Sequence, residues 1–194
     1  MNKNILICGC GGQGTVLASK IIAAAAMKEG FAVHSAETIG MAQRGGSVTS
    51  HVRIGDDVFS PLIPSGKADI MLAFEPAEAV RNLRYLSSDG FVIVNSRPTK
   101  PVTESLKPSG YSGEEMLSFL GKKVKCLVLD SENIAEKFGS DKFFNIAMLG
   151  AACGAGCLGL SEEVITGEIS DRVPQKFIET NIEAFHYGKS MGKR

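Results

Sequence analysis

Hydrophobic and polar positions divide this chain into alternating short apolar runs and longer mixed segments. The first run, Ile5-Leu6-Ile7-Cys8, has no polar residue to offset it and breaks into four glycines, Gly9, Gly11, Gly12 and Gly14. It reads as a strand buried on both faces of a parallel sheet. Residues 15–27 are rich in Ala, Leu and Ile, hold no Gly or Pro, and read as a helix. Residues 31–36 give a second strand, followed by Glu37. Val48, Val52 and Ile54 then alternate with Thr49, His51 and Arg53, so this strand has one apolar and one polar face. Such a strand suits an edge or antiparallel position, or a face that meets another subunit. Residues 57–66 are loop; 69–74 form a further buried strand; Glu75-Pro76 opens a helix running to about residue 86. A turn at 87–90 leads into a strand at 91–95, and 97–113 is an irregular excursion off the sheet. A short helix at 114–120 and a strand at 124–129 follow, with Asp130 or Ser131 capping a helix that ends at Gly139. The remainder is helical: 143–158, a segment capped by Ser161, and a last helix opened by Pro174 with Ile178, Ile182 and Phe185 on one face. Strands alternating with helices give an α/β fold, a three-layer α/β/α sandwich around a mostly parallel sheet with a Rossmann-like start.

Composition narrows the function classes. The 194 residues are expected to form a single domain, 1–194, with enough chain for a sizeable core. Charged residues make up 22% and cancel to zero, which leaves neither a basic face for nucleic acid nor an acidic tail. Met1-Asn2-Lys3-Asn4 runs straight into the first strand, so no targeting peptide is expected. Five cysteines without such a leader point to a reducing compartment and free thiols. No apolar run has the length of a membrane span, and a soluble, cytoplasmic protein is expected.

Candidate chemistry gathers at the first turn. Strand, glycines and helix place free N–H groups and the positive end of a helix dipole together. Gly9, Gly11 and Gly14 fit G-x-G-x-x-G, which suits a phosphate-bearing ligand. Glu37 would serve a dinucleotide ribose; alternatively the glycines only let the helix pack closely. A second loop, Gly40-Met41-Ala42-Gln43-Arg44-Gly45-Gly46-Ser47, has no counterpart in a nicotinamide site. Arg44 is suited to clamp a phosphate or carboxylate, to bridge to a partner subunit, or to make a structural loop contact. Gln13 either donates to a ligand or braces the facing loop. Glu75 stands where α/β sheets bind ligands, or is simply a charge favoured by a helix N-terminus. His51 reads as an interface or surface residue, and His34 and His186 are given no role. Cys8 with Cys10, and Cys153 with Cys157, lack zinc or iron–sulfur spacing and read as small buried thiols, so no metal site is assigned. The small residues of 150–159 allow close backbone approach, by helix to sheet or across a subunit interface. No catalytic nucleophile or base stands out, and no thiamine diphosphate and magnesium pattern is present.

The paired motifs, Gly9-Cys10-Gly11-Gly12-Gln13-Gly14 and Gly40 through Ser47, resemble the gamma-type domain of the 2-oxoacid:ferredoxin oxidoreductases. Ser47 through Gly55, Ser60-Pro61-Leu62-Ile63-Pro64, Ala68-Asp69 and Phe74-Glu75-Pro76 continue the likeness, and Ala-Gln-Arg-Gly-Gly points to the indolepyruvate branch and its beta subunit. The resemblance implies a small subunit that supports oxidative decarboxylation of an arylpyruvate to an acyl-coenzyme A with reduction of ferredoxin. It implies a large partner subunit holding thiamine diphosphate, Mg and 4Fe-4S clusters. Coenzyme A is the ligand it suggests for this chain, on Gly9, Gly11, Gly12, Gln13 and Gly14 together with Gln43, Arg44, Gly45 and Gly46. Alternatives are a pyruvate- or 2-oxoglutarate-type subunit, a free-standing nucleotide-binding oxidoreductase, and a purely structural subunit without ligand.

Overall fold

The structure, a computed structural model, describes residues 1–40, 45–99 and 110–193. Six strands form one sheet: β1 (Lys3–Cys10), β2 (Val33–Ile39), β3 (Ser47–Ile54), β4 (Ala68–Ala73), β5 (Leu86–Asn95) and β6 (Lys125–Leu129). Their spatial order is β2-β3-β1-β4-β5-β6. The pairs β1–β4, β4–β5 and β5–β6 are parallel, whereas β3 is antiparallel to both β1 and β2. The mostly parallel sheet is as expected, and β3 is the antiparallel strand its alternation suggested. It is not an edge strand, because β2 continues the sheet beyond it.

Burial explains the all-apolar first strand. Ile5 and Ile7 point into a core filled from α1 (Thr15–Lys28), α5 (Phe144–Gly154) and α6 (Glu162–Arg172). Ile134 of α4 (Ser131–Phe138) and Phe185 of α7 (Ile178–Gly192) complete that layer. Leu6 and Cys8 point the other way, with Met71 and Val92, against α2 (Pro76–Asn82) and α3 (Glu114–Lys123). Both faces are thus covered, and each fully buried Ile or Leu contributes about 1.5–3 kcal/mol.

The polar face of β3 is met from within the chain. His51 Nδ1 accepts from the Ile63 N–H at 3.2 Å, and its ring stands edge-on to Tyr85. Arg53 donates to Asn4 Oδ1 and to the carbonyls of Ser60 and Leu62. The loop at 55–66 is therefore laid along β3, and His51 is buried rather than exposed.

Several boundaries differ from expectation. α2 stops at Asn82 and a short 3-10 turn, Leu83–Tyr85, precedes β5. Residues 87–90 belong to β5: Ala68 opposes Leu86 while Ile70 opposes Phe91, so the strand bulges there. Asp130 caps α4 through the Glu132 N–H, and Gly139 ends it. Ser161 occupies the cap position of α6 without a side-chain bond; its own N–H donates to Glu29. Pro174 precedes a 3-10 turn, Gln175–Phe177, before α7.

The small residues at the start of the 150–159 stretch pack against a helix rather than the sheet. A Cβ on Gly150 or Gly154 would collide with the carbonyl oxygens of Phe185 and Lys189, and one on Gly188 or Gly192 with those of Ala147 and Ala151. The four glycines bring α5 and α7 into backbone contact, running in the same direction.

Candidate functional site

β1 delivers the chain to the carboxyl edge of the parallel strands, where it turns into α1. Gly14 is the N-cap of α1 with φ 81°, a left-handed value that disfavours any other residue. No side chain caps this helix and no acid lies in its first turn. Its leading N–H groups and dipole are therefore available to an anion. The second glycine loop is bonded to the first. Gly11 N–H donates to Gly46 C=O at 2.8 Å, and Gly45 N–H donates to Gly11 C=O at 3.3 Å. Gly9, Gly11, Gly12, Gln13, Gly14, Gly45 and Gly46 thus share one place, while Gln43 and Arg44 lie outside the described residues.

Gln13 is committed within the chain. Its Oε1 accepts from Cys10 N–H at 2.6 Å, and its Nε2 donates to Phe74 C=O at 3.1 Å and Thr99 Oγ1 at 2.8 Å. The loop it braces is the segment after β5, and Gly45 and Gly46 are held by Gly11 instead.

A cleft of about 500 Å³ opens beside this turn. Gly12, Gln13 and Gly14 form one wall; Arg97, Thr99, Ser131, Lys142 and Asn145 form the other. Asn145 is 5% exposed, its Oδ1 accepts from Ile146 N–H, and its Nδ2 meets no acceptor among the described residues. A Cβ on Gly14 would lie 2.5 Å from that Nδ2, so the carboxamide stands against the start of α1. Lys142 lines the cleft and has no carboxylate within ion-pair distance among the described residues. Arg97 is spoken for, since its guanidinium pairs with Asp130 and Glu132. Asp141 also lines the cleft. Among the described residues the free groups are one cation, Lys142, one carboxylate, Asp141, one carboxamide donor and an uncapped helix start. The helix start, the carboxamide and Lys142 suit an anion such as a diphosphate, with Asp141 facing it as the opposing charge.

A second cleft of about 320 Å³ holds the acids. Glu75 and Glu78 are each 2% exposed. Glu75 caps α2 through the Glu78 N–H and accepts from Tyr111 OH at 2.6 Å. Glu78 accepts from Ser47 Oγ at 2.6 Å and pairs with Arg81. Both readings of Glu75 therefore meet here: it caps a helix and lines a cleft. Burial, reinforced by Glu75 and Glu78, pushes the Cys10 thiol up to about 11, and burial likewise raises Cys8. Neither is a thiolate near neutral pH. Burial lowers His51, which stays neutral with Nδ1 as acceptor.

Glu37 lies within β2, two strands from β1, and accepts from Ser19 Oγ on α1. A dinucleotide fingerprint needs the strand beside β1, and β3 occupies that place. All five cysteines are free thiols. Among the described residues no three His, Cys, Asp or Glu side chains converge on a metal position. Nor is any described helix long and apolar enough to cross a membrane.

Asn145, Lys142, Thr99, Glu78 and Tyr111 went unread in the sequence. Two carried a signal: Asn145 is the lone polar residue of Phe143-Phe144-Asn145-Ile146-Ala147-Met148-Leu149, and Glu78 follows the cap residue Glu75 by three, as in a capping box.

Known proteins were compared with this chain. The family described as pyruvate ferredoxin/flavodoxin oxidoreductase matches residues 4–191. The indolepyruvate oxidoreductase subunit IorB of Thermococcus kodakarensis is 38% identical over 193 residues, 98% of this chain and 96% of that one. The pyruvate/ketoisovalerate oxidoreductases common subunit gamma of the same organism is 32% identical over 184 residues, 92% of each. The fold recurs in the 2-oxoglutarate:ferredoxin oxidoreductase of Magnetococcus marinus, solved with 2-oxoglutarate, coenzyme A and succinyl-CoA bound. That match has a TM-score of 0.75 at 21% identity and covers 98% of this chain and 31% of that one.

Proposed function

The chain belongs to the pyruvate ferredoxin/flavodoxin oxidoreductase family, and from that premise we propose that it is the small, gamma-type subunit of an indolepyruvate:ferredoxin oxidoreductase. The observation that carries this reading is 38% identity over nearly the whole length of a subunit so named, against 32% for the pyruvate/ketoisovalerate gamma subunit. The assembled cytoplasmic enzyme decarboxylates an arylpyruvate, transfers the acyl group to the coenzyme A sulfur, and delivers the two electrons to ferredoxin. A larger partner holds thiamine diphosphate, Mg and 4Fe-4S clusters, which supply the acyl carbanion equivalent and the electron path when bound.

This chain's own contribution is to bind and orient. The start of α1, the Asn145 carboxamide and Lys142 receive the coenzyme A diphosphate, the first through backbone N–H groups, the others through side-chain donors. Gly12, Gln13 and Gly14 shape that wall, with Gly9 and Gly11 supporting the turn behind it. Gly45 and Gly46 stand against it through Gly11, and Gln43 and Arg44 of the same stretch of sequence are proposed as further anion contacts. Holding the thioester-forming end in a set direction gains rate by orientation rather than by proton transfer.

Co-expression with the larger partner, followed by viologen or ferredoxin reduction with indolepyruvate, pyruvate and 2-oxoglutarate in parallel, tests the assignment. Coenzyme A-dependent turnover fastest on indolepyruvate, with none from the isolated chain, is the expected result. Preference for pyruvate or 2-oxoglutarate would move the chain to another branch, and turnover by the isolated chain would overturn the subunit role. In the complex, Lys142→Ala and Arg44→Ala each raise the KM for coenzyme A; no change in either removes the ligand site from this chain.

A further inference from the structure

We infer that Gln13 is a positioning residue, a latch that fixes the glycine turn, the end of β4 and Thr99 at one spacing and so sets the width of the coenzyme A cleft. The inference rests on the coenzyme A reading of that cleft. A carboxamide has two N–H donors and one acceptor oxygen, and Gln13 places all three groups on the chain itself. Its oxygen takes the Cys10 N–H, and its two donors reach Phe74 C=O and Thr99 Oγ1, which lie 61 and 86 residues away in sequence. No donor remains for a ligand, and the remaining lone pair would repel an anion.

Gly9 belongs to the same device. A Cβ there would lie 2.7 Å from Gln13 Oε1 and 2.8 Å from Phe74 Cβ. The first glycine of the motif therefore leaves room for the glutamine to cross over it, and makes no approach to a phosphate. Thr99, at the far end, lines both clefts and stands as the ridge between them. Freed from Gln13, that ridge and Arg97 two residues before it lose their tie to the turn. The start of α1 and the Lys142–Asn145 wall would no longer be presented together.

The test compares Gln13→Ala, Thr99→Val, Thr99→Ser and Lys142→Ala in the complex with the larger partner. KM and kcat are measured for coenzyme A, with hydrogen–deuterium exchange at residues 10–15 and 96–99. Gln13→Ala is expected to raise the KM for coenzyme A about tenfold with kcat within about twofold, the scale of a lost orienting contact. Thr99→Val should do so by about threefold, and Thr99→Ser, which keeps the hydroxyl, should match the parent. Exchange at Cys10 should quicken in Gln13→Ala, because its acceptor is gone. Unchanged exchange there overturns the latch, as does a fall in kcat with KM unmoved. If Lys142→Ala raises KM while Gln13→Ala does not, the latch fails and the coenzyme A reading stands. If neither moves KM, that reading fails and takes the positioning role with it.

Discussion

Replacing Gly150 by alanine is the sharpest test of how α5 and α7 are joined. The added Cβ would sit well under 3.0 Å from the Phe185 carbonyl oxygen, with Lys189 N beside it, a separation real Cβ atoms essentially never show. Both neighbours are backbone of a helix, so no flexible side chain can give way. Overpacking of this kind costs about 1–3 kcal/mol, and a rigid backbone partner places it at the upper end. Alanine in place of glycine returns about 0.5–1 kcal/mol of helix propensity. The net loss is about 2 kcal/mol, and at about 2–4 °C per kcal/mol for a chain of this length Tm falls by about 4–8 °C. Gly121 in α3 and Gly167 in α6 provide the contrast, since an added Cβ meets nothing within 4 Å at either position. There the propensity gain stands alone, and Tm rises by about 1–4 °C. Thermal unfolding of the purified chain by circular dichroism reads both signs. A Gly150→Ala protein that melts at or above the Gly121→Ala protein would refute the backbone-contact account.

Three further outcomes are expected. Because burial lowers His51 from its ordinary 6.5, the folded protein binds its proton less readily than the unfolded chain. The stability this confers is whole above that value and is lost as pH falls below it; urea midpoints across that range should slope for the parent and flatten in His51→Asn. Tyr111→Phe strips Glu75 Oε1 of a donor and the Ala77 N–H of its acceptor, and should cost about 1–3 kcal/mol in urea unfolding. A thiol pushed up to about 11 resists alkylation, so iodoacetamide at about pH 8 should leave Cys10 unmodified in the folded chain, with Cys8 beside it, by peptide mass spectrometry.

What could be read from the residues alone was whatever local pattern controls. The strand–glycine–helix start, the layered sheet and the antiparallel character of β3 all follow from runs and alternation of neighbours. The failures share a different cause. Alternation in β3 shows that one face is polar, but nothing local says that residues 55–66 lie over it, so His51 reads locally as an interface or surface residue. Gly150 and Gly154 announced a close approach without naming α7 as the partner, since the matching Gly188 and Gly192 lie some forty residues on. The bulge at 87–90 is polar and glycine-bearing, indistinguishable from a turn until Ala68 and Leu86 are seen opposed. In the cleft, the glycines were legible because a motif repeats them. Asn145 and Lys142 were not, because only the packing of α5 against the turn brings them there.

Gly11 donates its N–H to Gly46 and its C=O accepts from Gly45, so two glycine-bearing turns distant in the chain are joined at a single residue. One residue thus ties the turn that opens α1 to the turn that opens β3, and a change in its backbone would be felt at both.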